Sequence, residues 1–171
     1  MNPASTLGNS RADHGPPRYA TDEAEDRLST LLNLRQDPYM QDWDLEVSDP
    51  DRLAEFCTVY ETSEFDASTK FTLMGLIVAS LDGWLQLPDT GEWDVSQQVE
   101  RLLRRDFLLH LHTLNRWRLG DEPDPENVFR ATPVIRHIWQ ECYKQEYGRW
   151  LEDDTEDDSP ESDGLDSPAP P

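Results

Sequence analysis

From Phe71 to Leu85, apolar side chains recur at three- and four-residue steps (Phe71, Met74, Ile77, Val78, Leu81, Trp84, Leu85), and Leu73 and Leu76 add bulk outside that stripe. Residues so spaced lie over one another on a helix of about 3.6 residues per turn. A stripe this wide, apolar on its flanks as well, has no face to give to water. The helix is therefore expected at the centre, with the other elements wrapped around it. Asp66 caps its start, and Leu87-Pro88-Asp89-Thr90-Gly91 breaks it.

Three more segments share this organisation of a capping residue ahead of an apolar period. Asp49-Pro50 opens a helix through Leu53, Phe56, Cys57 and Tyr60 that ends near Thr62. Asp94 caps a third, which runs from Val99 to about Trp117 and stops at Gly120. Thr132-Pro133 starts a last long helix through Ile135, Ile138, Trp139, Cys142, Tyr143 and Trp150. A further helix from Asp22 to Leu34 follows Thr21, with Leu28, Leu31, Leu32 and Leu34 as its apolar positions. Between it and Asp49, residues 37–47 alternate acids with Tyr39, Trp43, Leu45 and Val47 and could form an extended arm; the alternation also fits a short edge strand, but no second strand-like segment offers a partner. The expected fold is all-α, one compact bundle of four to five helices over residues 21–150. Residues 1–20 are expected to form a disordered N-terminal segment, and residues 151–171 a disordered acidic tail.

The 171 residues hold 36 Asp and Glu against 15 Lys and Arg, a formal net charge of −21. Nine of the acids and no Lys or Arg lie beyond Trp150, yet Thr21 to Trp150 still carries 26 acids and 13 bases. A folded field of this sign repels phosphates and anionic lipid and attracts cationic protein surfaces. Direct nucleic-acid binding and membrane binding are therefore disfavoured. No run of about 18 apolar residues offers a membrane span. Met1 to Pro17 lacks the basic start and apolar block of a secretory signal, so a cytoplasmic location is expected. Cys57 and Cys142 fall within apolar helical faces and read as small buried hydrophobes.

Motifs for chemistry are sparse. There is no nucleophile elbow, P-loop or dinucleotide glycine pattern, so the chain is expected not to be an enzyme, to have no catalytic residues and to need no cofactor or metal. Two polar residues stand out, because Asp106 and His110 lie four apart in the middle of the apolar face of Val99, Leu103, Phe107, Leu114 and Trp117. That spacing puts one a turn above the other, and a buried ionisable pair must be mutually satisfied. Glu146 projects along the Ile135, Cys142 and Tyr143 face, and its convergence with Asp106 and His110 would make a carboxylate-rich divalent-metal site in a helical enzyme. His137 and Glu141 form a solvated pair, and Arg101, Arg104 and Arg105 pair with surrounding acids.

Binding by surface is the leading expectation. Trp43 and Trp93 stand in acidic non-helical segments, and aromatic anchors ringed by carboxylates suit a basic partner. The expected contacts are Asp42, Trp43, Asp44, Glu46 and Trp93, with Asp121, Glu122, Asp124 and Glu126 of the long Gly120–Ala131 connection as a second region. Small size, acidity and absence of catalytic motifs suit a protein that binds and neutralises or regulates a basic partner, most concretely a bacterial immunity protein against a cognate toxin. An adaptor acting through its acidic tail is the other non-enzymatic alternative.

Overall fold

The computed structural model describes residues 16–35, 37, 39–88, 94–120, 122, 124 and 128–153; the side chains of Asp94 and of residues 146–153 lie outside it. The described chain is all-α and contains no strand. Its elements are α1 (Asp22–Leu32), α2 (Trp43–Glu46), a 3-10 turn (Pro50–Arg52), α3 (Leu53–Thr62), α4 (Ala67–Trp84), α5 (Asp94–Arg105), α6 (Leu111–Arg118) and α7 (Thr132–Asp153). No helix among them is long and apolar enough to cross a membrane.

The apolar helix is α4, and it is central. Every residue from Phe71 to Leu81 is buried, and α1, α2, the 3-10 turn, α3, α5 and α6 all pack against it. α7 closes the bundle from outside, lying on α6 and α5. Side-chain caps start three of the elements: Thr21 accepts from the Ala24 N–H, Asp49 from Asp51 and Asp66 from Thr69. Polar ties join elements distant in sequence. The Ser80 hydroxyl, buried in α4, accepts the Asp49 N–H at 3.1 Å, and Asp82 accepts the Ala131 N–H at 2.9 Å. The Thr132 hydroxyl reaches the Trp117 carbonyl at 2.9 Å, fixing the start of α7 on the end of α6.

Several expectations need correction. The helix expected from Val99 to Trp117 is two helices, because the chain turns at Asp106–His110 and restarts at Leu111. Before the turn α5 packs on α3, α4 and α7, and after it α6 packs on α4 and α7. The stop is Leu119, in the left-handed region at φ 44°, rather than Gly120. Residues 37–47 do not form an extended arm. Their end winds into α2, whose Trp43 is only 5 % exposed and donates its indole N–H to the Ser29 hydroxyl at 3.2 Å. Burial of so large a ring outweighs the alternating pattern. Instead of four to five helices there are seven among the described residues, and α7 runs to Asp153, past the expected boundary at Trp150. The disorder expected of residues 1–15 and 154–171 falls outside the described residues.

Candidate functional site

Where α5 turns into α6, the chain buries a polar cluster. His110 is 0 % exposed, and Asp106 is half-buried at the cluster's edge. The two side chains are joined through a third. The Tyr60 hydroxyl donates to Asp106 Oδ2 at 2.9 Å and lies 2.6 Å from His110 Nε2. A phenol has one hydrogen, and here the carboxylate takes it. His110 Nε2 must then carry a hydrogen and donate to Tyr60, which leaves the buried Nδ1 as a bare acceptor without a partner. Phe71 stacks on the imidazole at a centroid distance of 6.4 Å, and Arg105 Nη2 closes the outer end on Asp106 at 2.9 Å.

The environment sets the charges. Burial, against the pull of the Asp106 charge, pushes the His110 pKa down from 6.5 to about 4, so the imidazole is neutral near pH 7. Partial burial of Asp106 works toward a higher pKa, but hydrogen bonds from Arg105 and Tyr60 hold its carboxyl below the usual range. Burial first, and then the Asp106 hydrogen bond, raise the Tyr60 pKa. The chain His110–Tyr60–Asp106–Arg105 thus runs from a neutral interior to a charged rim, a structural arrangement in which each donor is used. Cys57 is equally inert, its thiol pushed up to about 12 by burial.

Phe71 also borders a cleft of about 440 Å³ between the chain before α1, the α2 turn, α4 and α6. Aromatic walls come from Tyr19, Trp43, Phe71 and Trp117. Gly75 makes room for one carboxylate: a Cβ there would stand 3.2 Å from Asp44 Oδ2. Asp44, with a side chain only 14 % exposed, is held by Arg116 Nη1 at 3.0 Å. Glu25 also lines the cleft and makes no ion pair among the described residues. Burial, followed by the charges of Asp22, Asp44 and Asp26, raises its pKa.

No family model, curated protein or solved structure matches this chain. Its function has therefore to be argued from its own geometry and charge.

Of the expected contact residues, Asp42, Trp43, Asp44 and Glu46 come together at α2, though not as an exposed anchor in a ring of free acids. Trp43 faces inward as a cleft wall, and Asp42 and Asp44 share Arg116 at 3.5 and 3.0 Å. Glu46 accepts the Gln41 N–H at 2.9 Å, which holds the start of α2. In the second region, Glu122 accepts the Asp124 N–H at 3.0 Å, and Arg136 latches the backbone by donating to the carbonyls of Arg118, Leu119 and Glu122. Trp93, Asp121 and Glu126 lie outside the described residues. Glu146 falls on α7, and its side chain, with the expected convergence on Asp106 and His110, lies outside them too. Among the described residues no three His, Cys, Asp or Glu side chains group as metal ligands.

The expected arginine pairing takes a definite form: Arg104 bridges Glu100 at 2.7 Å and Glu141 at 2.6 Å, tying α5 to α7. His137 lies 3.5 Å from Glu141. Two members of these sites have no prominence in the sequence reading, Tyr60 and Glu25. Tyr60 reads as an apolar position, although a buried phenol needs a hydrogen-bond partner and so announces a polar neighbour. Glu25 lies three and seven residues before Leu28 and Leu32, the spacing that places a side chain beside the buried stripe.

Proposed function

We propose that this protein is an acidic interaction protein that binds and neutralises or regulates a basic protein partner, most concretely a bacterial immunity protein directed at a cognate toxin. The observation that carries the reading is the uneven distribution of charge over the fold. Between Asp22 and Arg52, the span of α1 and α2, ten acids stand against three bases. The next span, to Trp93, holds seven acids and only Lys70, whereas Asp94 to Trp150 holds nine of each. The excess thus belongs to α1–α4 and their connections, while α5–α7 are balanced and internally bridged. Charge concentrated on these segments orients a basic partner as it approaches, which a merely solubilising charge has no need to do.

The test is kinetic. The protein is mixed with purified basic proteins encoded beside its own gene, both as the full chain and truncated after Asp153, between about 0.05 and 0.5 M NaCl, a range that contracts the screening length severalfold. Association should slow by about tenfold or more across that range while dissociation changes by less than about threefold. Truncation should leave most of the association rate. Binding that is indifferent to salt would overturn the reading, and loss of binding on truncation would transfer the role to the acidic tail of an adaptor.

A further inference from the structure

We propose that the cleft between the α1 lead-in, α2, α4 and α6 receives an arginine side chain of the basic partner, with Glu25 as its carboxylate, the exposed Tyr19 ring as its stacking face and the buried Trp43, Phe71 and Trp117 as its aromatic floor. This rests on the interaction reading above and adds an anchor to it. At about 440 Å³ the cleft is near the lower end of the roughly 300–1,000 Å³ that small ligands occupy, roomy for one long side chain and the backbone around it.

Charge selects a cation. Of the two carboxylates lining the cleft, Asp44 already has Arg116, but Glu25 has neighbours of its own sign in Asp22, Asp26 and Asp44. An incoming positive group relieves that repulsion. The walls select among cations. A guanidinium is planar and weakly hydrated, stacks on aromatic faces and presents paired N–H groups to a carboxylate, whereas an ammonium is a strongly hydrated point charge. This protein already makes the same contact internally: Arg118 stands over the Trp139 ring at 4.4 Å and Arg27 over Phe65 at 5.2 Å. The lining also holds His112 and, besides Arg116, a second arginine, Arg18, which is exposed and opposes entry of a cation. Removing its charge therefore strengthens binding.

The probe is N-acetyl-L-arginine methylamide, titrated into the full-length protein at constant ionic strength and followed by tryptophan emission and by the indole N–H resonances. N-acetyl-L-citrulline methylamide, which keeps the shape and removes the charge, serves as the comparison. The arginine probe should saturate in the millimolar range, shifting the Trp43 and Trp117 resonances, and the citrulline probe should bind at least about fivefold more weakly. Glu25→Gln should weaken the arginine probe by a similar factor and Arg18→Ala should tighten it. Glu61→Gln, on α3 and hydrogen-bonded to Gln98 at 2.8 Å, removes an equal charge away from the cleft and should change affinity less than about twofold. Equal binding of the two probes, an unchanged affinity in Glu25→Gln, or an equal loss in Glu61→Gln would overturn the proposal. Because no partner protein enters this titration, its failure removes the anchor and leaves the salt-dependent association to be judged separately.

Discussion

A single hydroxyl decides how Asp106 and His110 coexist. Tyr60 serves both, so Tyr60→Phe leaves the His110 Nε2–H unpaired in a site with no water access and takes a donor from Asp106. That substitution should cost about 2–3 kcal/mol, and Asp106→Ala, at the half-exposed end, about 1–3 kcal/mol, as read from urea unfolding at pH 7. A cost for Tyr60→Phe well below that of Asp106→Ala would show that the buried end is not the dependent one. The same cluster sets a pH response. In the unfolded chain His110 protonates near 6.5, but in the fold only near 4, so between those values the unfolded state holds the extra proton. Stability is therefore complete above pH 6.5 and falls as pH drops through the window, by up to about 3 kcal/mol. Glu25, raised in the fold, acts in the opposite sense, and Asp66 and Asp106, lowered in the fold, add further loss below their ordinary carboxyl range. Comparing unfolding at pH 7 and pH 4.5 in wild type and His110→Gln isolates the histidine, whose replacement should flatten most of the slope.

Two glycines in α4 give contrasting expectations at the scale of the element. A Cβ on Gly83 would meet Pro50 at 3.6 Å, an ordinary contact, so Gly83→Ala should stabilise by about 0.4–1 kcal/mol by restricting the unfolded chain. At Gly75 the same methyl would approach Asp44 Oδ2 to 3.2 Å and push on the carboxylate that Arg116 holds. Gly75→Ala should therefore lose most of the helical gain, and thermal melts of the two variants should differ in that order. The helices also show how far local pattern reaches. Caps at Thr21, Asp49 and Asp66 and the apolar period of α4 are legible from neighbouring residues alone. The break at Asp106–His110 is not, because the apolar period continues across it and the partner of His110, Tyr60, arrives from another helix.

Across the whole molecule, like charge opposes compactness. With 26 acids and 13 bases between Thr21 and Trp150, repulsion should dominate over the exposed ion pairs, each of which contributes little. Added NaCl should therefore raise the unfolding midpoint, and a fall would show that pairs such as Arg104 with Glu100 and Glu141 outweigh the net charge. The repulsion is concentrated in α1–α4 and their connections, the segments proposed to meet a basic partner, so partner binding and screening by salt should stabilise the same part of the fold.

Periodicity, capping and charge are local or additive properties, and the sequence by itself determined what depends on them: an all-α fold, a central α4, buried cysteines and a strongly anionic surface. Trp43 shows where this ends. Its acidic neighbours suggest exposure, but whether a ring finds a place to bury depends on a gap beside α4 that other helices create. The tertiary structure alone brought Glu25, Asp44 and Arg116 to one cleft and Tyr60 between Asp106 and His110. The Asp44–Arg116 pair spans 72 positions and the Tyr60 bonds span 46 and 50, and no pattern within one helix encodes which side chain arrives from another.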